Sequence, residues 1–192
     1  MVHLHTRSCY SLLESPFRIE EIIDTAIEQG CTHVACTDLN SMYATMMFWK
    51  MAQAKGIHPI LGLELACTYQ EAPLHFVLLA KDDIALQELY GISTQLMNGE
   101  ALAFASLVNQ SQHCIVLTAG SSDQLEACME HQDQAGIEAL LQVCKEAWSD
   151  FYVSIAMNDS MLRKENNVLL KTCAKHLTIP TVALSRVYYK KR

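Results

Sequence analysis

The sequence lacks the features of membrane and secreted proteins. No apolar run approaches the roughly 18 residues that are needed to span a bilayer. No cationic segment precedes an apolar one, as it would in a signal peptide. We therefore predict a cytoplasmic protein without membrane contacts. No internal repeat or low-complexity linker interrupts the chain, which predicts a single domain over residues 1–192.

Basic residues are also scarce. The chain has 14 Lys and Arg against 21 Asp and Glu, which gives a formal net charge of −7. This balance argues against broad binding of a phosphate backbone by this segment alone, so we expect DNA contact only through a larger protein. The basic cluster Lys190 to Arg192 is interpreted as a solvated tail, or as the point where a longer chain continues.

Paired cysteine spacings are absent as well. The eight cysteines form no Cys-x-x-Cys motif, which disfavours a zinc finger or a disulfide framework. Cytosolic thiols stay reduced, and several of these lie in apolar patterns where a thiol acts as a small hydrophobic side chain. The cysteines are therefore predicted to be structural.

The composition that remains is that of a globular domain. Hydrophobic residues make up 51% of the chain and charged residues 18%, which is not typical of disorder. A chain of this length buries roughly 70% of its extended surface, enough for a core without disulfides or metals.

Strand patterns alternate with helix patterns along the chain. Strands are predicted at 2–5, 33–37, 59–66, 74–80, 114–118, 151–156 and 179–184. Strands separated by helices imply right-handed βαβ units and a parallel sheet. Seven strands are compatible with a closed or nearly closed barrel, and an open doubly wound sheet is the alternative.

In either architecture the functional face lies at the carboxyl ends of the strands. Polar residues that follow strands are therefore predicted to converge on one rim: His5, Arg7, Asp38, Glu64, Lys81, Asp82, Thr118, Asn158, Asp159, Arg186 and Tyr188. His75 begins its strand, so it is predicted to lie at the opposite end in a structural or surface role.

The first strand carries a damaged metal motif. His3 and His5 are two residues apart, so both imidazoles are predicted on one face of the strand, a spacing typical of a metal pocket. The next position on that face is Arg7, whose guanidinium has no lone pair to offer a metal. Whether the chain is a metalloenzyme depends on this substitution.

Three motifs carry a family resemblance. They are HLHTRSCYSLLE at 3–14, ACTDL at 35–39 and GIHPILGLE at 56–64. Together they resemble the polymerase and histidinol phosphatase (PHP) domain, in the form found at the N-terminus of bacterial DNA polymerase III alpha subunits. The stretches 75–82, 150–155 and 180–189 are similar too, in the same order.

The resemblance implies an α/β fold, a distorted seven-stranded β/α barrel of mostly parallel strands. It also implies a histidine-rich trinuclear metal site that hydrolyses phosphoesters. The family's metal-site positions fall here on His5, Arg7, Glu14, Asp38, Leu39, Glu64, Gly120, Asn158, Arg186 and Tyr188.

Several of these positions lack the donor that the family pattern implies. Leu39 and Gly120 offer no ligand, and Arg7 and Arg186 bring cations that repel a divalent ion. We therefore predict a vestigial site with no catalytic residue and no cofactor. Zinc or manganese would bind only if a residual site persists at His5, Glu14 and Glu64. Because unpaired buried carboxylates are costly, Arg7 and Arg186 are predicted to replace the metals as counter-charges to Asp38 and Glu64.

The function that the resemblance implies is that of an N-terminal PHP domain, the fragment of a larger alpha subunit, in a structural and docking role. Its partners would be the palm and thumb of that subunit and a proofreading exonuclease subunit. The parent would be a DNA-directed DNA polymerase, whereas this segment is predicted to be inactive on its own. Two alternatives stay open: a residual metal-dependent 3′–5′ exonuclease or phosphoesterase, and a free-standing enzyme similar to histidinol phosphatase.

Overall fold

A computed structural model describes residues 2–119, 124–156, 161–184 and 186–187, with the backbone alone at 161–164 and 186–187. The strands are β1 (His5–Thr6), β2 (His33–Leu39), β3 (His58–Tyr69), β4 (Ala72–Ala80), β5 (Cys114–Thr118), β6 (Phe151–Ala156), β7 (Thr181–Leu184) and β8 (Arg186–Val187). The helices are α1 (Ile19–Glu28), α2 (Thr45–Ala54), α3 (Asp83–Met97), α4 (Phe104–Gln110), α5 (Gln124–Glu130), α6 (Gln134–Ala147) and α7 (Met161–His176).

Six strands form one curled sheet in the order β2-β3-β4-β5-β6-β7. The pairs β2–β3, β5–β6 and β6–β7 are parallel, and β4 is antiparallel to both of its neighbours. The predicted α/β fold with mostly parallel strands is confirmed. No described helix is both long enough and apolar enough to cross a membrane.

The reversal of β4 corrects two predictions. Gln70 and Glu71 connect β3 to β4, and their φ angles of 48° and 67° are those of a tight hairpin turn. His75 therefore lies beside Ala66, near the carboxyl end of β3, and the prediction that placed it at the opposite end is wrong. Lys81 and Asp82 follow the other end of β4 and do not lie on the predicted rim, because Ala80 pairs with Cys114 at the start of β5.

The wall of the barrel is completed by two short strands. β1 pairs in parallel with β8, so that His5 lies opposite Arg186. β1 is joined to β2 by a side chain: the Thr6 amide donates to Thr37 Oγ1 at 3.0 Å, and that hydroxyl donates to the Thr6 carbonyl at 3.3 Å. All seven predicted strand regions are present, and a short eighth strand, β8, follows the last of them.

Apolar side chains fill both sides of the sheet. The inner face packs Val77, Leu79, Leu117, Ala119 and Leu184 together. The outer face packs Leu63, Leu65 and Leu78 beneath the helices, and each of these is completely buried. Burying one such leucine contributes about 1.5–3 kcal/mol, so this packing holds the part of β3 that carries Glu64 in a fixed position.

Candidate functional site

The candidate site is formed at the mouth of the barrel, where β1 and β2 end beside the middle of β3. His5 comes from β1, Asp38 and Leu39 from β2, and Glu64 from β3. Arg7 follows β1 directly and is only 6% exposed. Parallel strands bring their carboxyl ends to one edge, which is why residues so far apart in sequence meet here.

Arg7 binds two carboxylates at once. Its Nε donates to Glu64 Oε2 at 2.6 Å and its Nη2 donates to Glu64 Oε1 at 2.7 Å, which makes a two-pronged ion pair. Its Nη1 donates to Glu14 Oε2 at 2.6 Å. Glu64 is 3% exposed, whereas the Glu14 side chain is 49% exposed. The counter-charge predicted for Arg7 is present, with Glu64 as its buried partner.

His5 completes the surroundings of Glu64. Its Nε2 lies 2.6 Å from Glu64 Oε2, and the histidine is fully buried. Burial by itself would raise the pKa of Glu64, but the hydrogen bonds and positive charge of His5 and Arg7 outweigh it and lower that pKa from 4.5 to about 2. An ionised carboxylate only accepts hydrogen bonds, so His5 Nε2 must carry the proton in this contact.

Acid is expected to destabilise the protein through Glu64. The unfolded chain takes up the proton near pH 4.5 and the folded chain only near pH 2. The stabilisation is therefore complete above the first value and is lost as the pH falls towards the second, by about 3 kcal/mol in all. Urea unfolding at about pH 7 and about pH 3 measures it. The variant Glu64→Gln should lose much less stability over that interval, and equal losses in both proteins would contradict the assignment.

Asp38 has partners of a different kind. Its Oδ1 accepts from the Ser8 amide and from Ser11 Oγ, both at 2.6 Å, and its Oδ2 accepts from Ser8 Oγ at 2.7 Å. Burial, followed by the charge of Asp38, raises the pKa of the neighbouring Cys36 thiol well above its usual value, so Cys36 stays protonated. The prediction that arginine would neutralise Asp38 is therefore wrong for Arg7. Sequence reasoning missed Ser8 and Ser11.

The remaining predicted positions differ in how much of each the structure describes. Leu39 is the backbone partner of Glu64, so its aliphatic side chain lies beside that carboxylate. The backbone of Arg186 pairs with His5, while its side chain lies outside the description. Gly120, Asn158 and Tyr188 lie outside the described residues.

His75 is the mouth residue that sequence reasoning placed wrongly. Its carbonyl accepts from the Ala119 amide at 3.0 Å, next to the carboxyl end of β5. It alternates with Val77 and Leu79 along β4, so it shares the inner face of the sheet with Glu64. Only the direction of β4 could have revealed this.

The donors at the mouth are engaged with one another. Within the part of the chain that the structure describes, no group of three or more His, Cys, Asp or Glu side chains is arranged to hold a metal ion. Glu64 presents both oxygens to Arg7, and His5 Nε2 presents a proton to Glu64. Chemically, the described arrangement is a buried ion-pair network.

Large apolar side chains are exposed in the two segments that lead away from this network. They belong to the segments that follow β1 and β2 and form what we term the mouth patch: Tyr10, Leu12, Leu13, Tyr43 and Met47, which are 38%, 80%, 108%, 66% and 51% exposed. Tyr10 Oη contacts Met47 Sδ at 3.8 Å, which links the two segments. Leu13 also has a φ of 64°, an unusual conformation for leucine. Exposed apolar side chains grouped in this way are typical of a contact surface.

Comparison with known sequences agrees with the motifs. A family model described as the PHP domain matches residues 3–160. The DNA polymerase III subunit alpha of Bacillus subtilis is 34% identical over 134 residues, which cover 67% of this chain and 12% of that subunit. The corresponding subunit of Rickettsia bellii is 26% identical over 202 residues, with 100% of this chain and 17% of that subunit covered. The chain thus spans less than a fifth of these curated relatives.

Comparison with solved structures agrees with the fold. A proposed metal-dependent phosphoesterase from Bifidobacterium adolescentis superposes with a TM-score of 0.65 at 9% identity, covering 100% of this chain and 88% of that one. An identity this low carries information about architecture alone.

Proposed function

The chain belongs to the PHP domain family, and from that premise we propose that it is the PHP domain of a bacterial DNA polymerase III alpha subunit with a vestigial metal site. In this proposal the domain is a structural and docking module without catalytic residues or a resident metal. The polymerase reaction then belongs to other parts of the subunit, in keeping with the small share of the relatives that this chain covers.

The observation that carries the proposal is the position of the Arg7 guanidinium. Divalent zinc or manganese would need lone pairs from His5 and Glu64 at about 2.0–2.2 Å. Arg7 Nε lies 2.6 Å from the same Glu64 oxygen that His5 approaches, so a permanent cation occupies the place where the metal charge would act. The described residues therefore do not fit a divalent ion, because the carboxylate is already neutralised.

The other altered positions support the same proposal. Leu39 places aliphatic carbon beside Glu64, where the family pattern implies an imidazole. By the same pattern, Gly120, Asn158, Arg186 and Tyr188 are vestigial positions as well. His5, Glu14 and Glu64 remain the candidates for any residual ion.

The docking role is supported by the mouth patch. Its exposed tyrosine and methionine side chains are kinds of residue that are enriched in protein interfaces, and the exposed leucines beside them add apolar area. We assign them to contacts with the palm and thumb of the same polymerase subunit. A proofreading exonuclease subunit is the further partner that this proposal includes.

Metal analysis tests the proposal directly. After dialysis the protein is expected to retain no stoichiometric zinc, manganese or iron, as measured by elemental analysis. The matched variant Arg7→His/Leu39→His places two imidazoles beside Glu64 and removes the competing guanidinium, so it is expected to gain zinc. One equivalent of metal in the unaltered protein, lost in Glu64→Gln, would contradict the vestigial site.

A residual phosphoesterase is the alternative, because His5 and Glu64 still lie side by side in a fold shared with a proposed metal-dependent phosphoesterase. The two functions differ in their dependence on metal. Hydrolysis of a phosphomonoester or of a DNA 3′ end that stops with EDTA and returns with manganese would favour the enzyme.

A further inference from the structure

A groove lies on the outside of the barrel, away from the candidate site. It is formed between α2 and α3, over the start of β3 and the end of β4, and has a volume of about 380 Å³. It is lined by Pro59 and Leu61 from β3, by Trp49 from α2, and by Leu86 and Tyr90 from α3. The groove lies on the helix side of the sheet, whereas Glu64 lies on the inner side.

The walls of the groove expose more apolar surface than α2 and α3 need for their own packing. Phe48 and Ala52 already anchor α2 to the core and are completely buried. On the solvent side the same helix shows Met46 and Trp49, which are 57% and 42% exposed, and Tyr90 across the groove is 38% exposed. Tryptophan, tyrosine and methionine are the side chains that protein interfaces favour.

One end of the groove is negatively charged. Asp82 and Asp83 both line it and both are exposed, and Asp82 also accepts a hydrogen bond from the Ala85 amide at the start of α3. Lys81 lines the groove too, but its ammonium group is paired with Asp150. Two carboxylates therefore remain to act on whatever enters between the aromatic walls.

We propose that this groove binds a segment of a partner protein in which a lysine or arginine is flanked by apolar residues. The aliphatic part of the basic side chain packs on Pro59 and Leu61 between Trp49 and Tyr90. Its charged end meets Asp82 and Asp83, where aromatic faces add further attraction for a cation. We infer a basic segment because its positive charge is complementary to the negative charge of Asp82 and Asp83. This surface is independent of whether the barrel mouth binds metal.

Trp49 provides the readout. The chain has two tryptophans, and Trp148 is buried at 3% exposure, so ligand-induced changes in emission report on Trp49. The probe is a short amphipathic helical peptide of leucine and lysine, and its control is the same peptide with glutamate in place of lysine. The lysine peptide is expected to shift the emission to shorter wavelength and to saturate, and the glutamate peptide is expected to do neither.

Two matched double variants separate the groove from general charge attraction. Asp82→Asn/Asp83→Asn keeps a capping side chain at the start of α3 and is expected to weaken binding about five- to tenfold. Glu71→Gln/Glu100→Gln removes the same charge from exposed positions outside the groove and is expected to leave the affinity unchanged. Equal weakening by both pairs, equal binding of both peptides, or self-association that shields Trp49 without peptide would each overturn the proposal.

Discussion

Replacing Arg7 with alanine is expected to lower the free energy of unfolding by about 3–5 kcal/mol, because it leaves a buried carboxylate without its main counter-charge. Glu64 is 3% exposed and receives two of its hydrogen bonds from this guanidinium. Urea denaturation at neutral pH measures the loss. The penalty should shrink in acid, where Glu64 takes up a proton in the variant.

Two controls decide whether the effect comes from the buried pair. Lys55→Ala removes an ion pair with Asp24 at 2.5 Å, but both side chains are solvated, so the unfolding midpoint should hardly move. Arg7→Met/Glu64→Leu removes both charges and should be less destabilised than Arg7→Ala. If the loss of stability in the double variant equalled the sum of the losses in Arg7→Met and Glu64→Leu, charge burial would not be the cause.

Replacing Gly62 with alanine is expected to cost about 3 kcal/mol, towards the upper end of the usual range for overpacking. Gly62 belongs to β3, which runs between β2 and β4. A Cβ atom at this position would come within 2.6 Å of the Leu78 carbonyl oxygen. It would also lie 2.8 Å from side-chain carbons of Thr37 and Leu79. Since the closest atom belongs to the backbone, the strands themselves would have to move apart.

Gly91→Ala is the matched control for that substitution. Gly91 lies within α3, and a Cβ atom there would meet nothing within 4 Å. Alanine favours a helix over glycine by up to about 1 kcal/mol, so this variant should be slightly more stable than the parent. Thermal unfolding of both variants tests the pair, and a neutral Gly62→Ala would contradict the close strand packing.

The direction of β4 shows where the sequence stops being informative. Alternating apolar residues identified β3 and β4 as strands, but such a pattern is the same for either direction of the chain. The turn that reverses the chain is Gln70-Glu71, which lacks the asparagine or glycine that usually marks a two-residue hairpin. His75 and Lys81 were therefore both assigned to the wrong ends of the barrel.

At the mouth of the barrel, the sequence identified the ionisable side chains of the site but not its serine hydroxyls. His5, Arg7 and Glu64 could be grouped because each lies at or near the end of a predicted strand and each carries a charged or metal-binding side chain. Ser8 and Ser11 could not, because a serine next to a strand is most often a solvated loop residue. Ser8 and Ser11 reach Asp38 only because the turn after β1 folds back over it. That long-range contact has no signal in the local sequence.

The hydroxyl bridge between the first two strands has a consequence for local opening. Because Thr37 holds Thr6 through its side chain, the edge of β1 can detach without disturbing the regular ladder between β2 and β3. Detaching β1 also separates His5 and Arg7 from Glu64, so amide protons in this N-terminal stretch should exchange with solvent only through an opening that breaks those contacts, while the ladder between β2 and β3 stays closed.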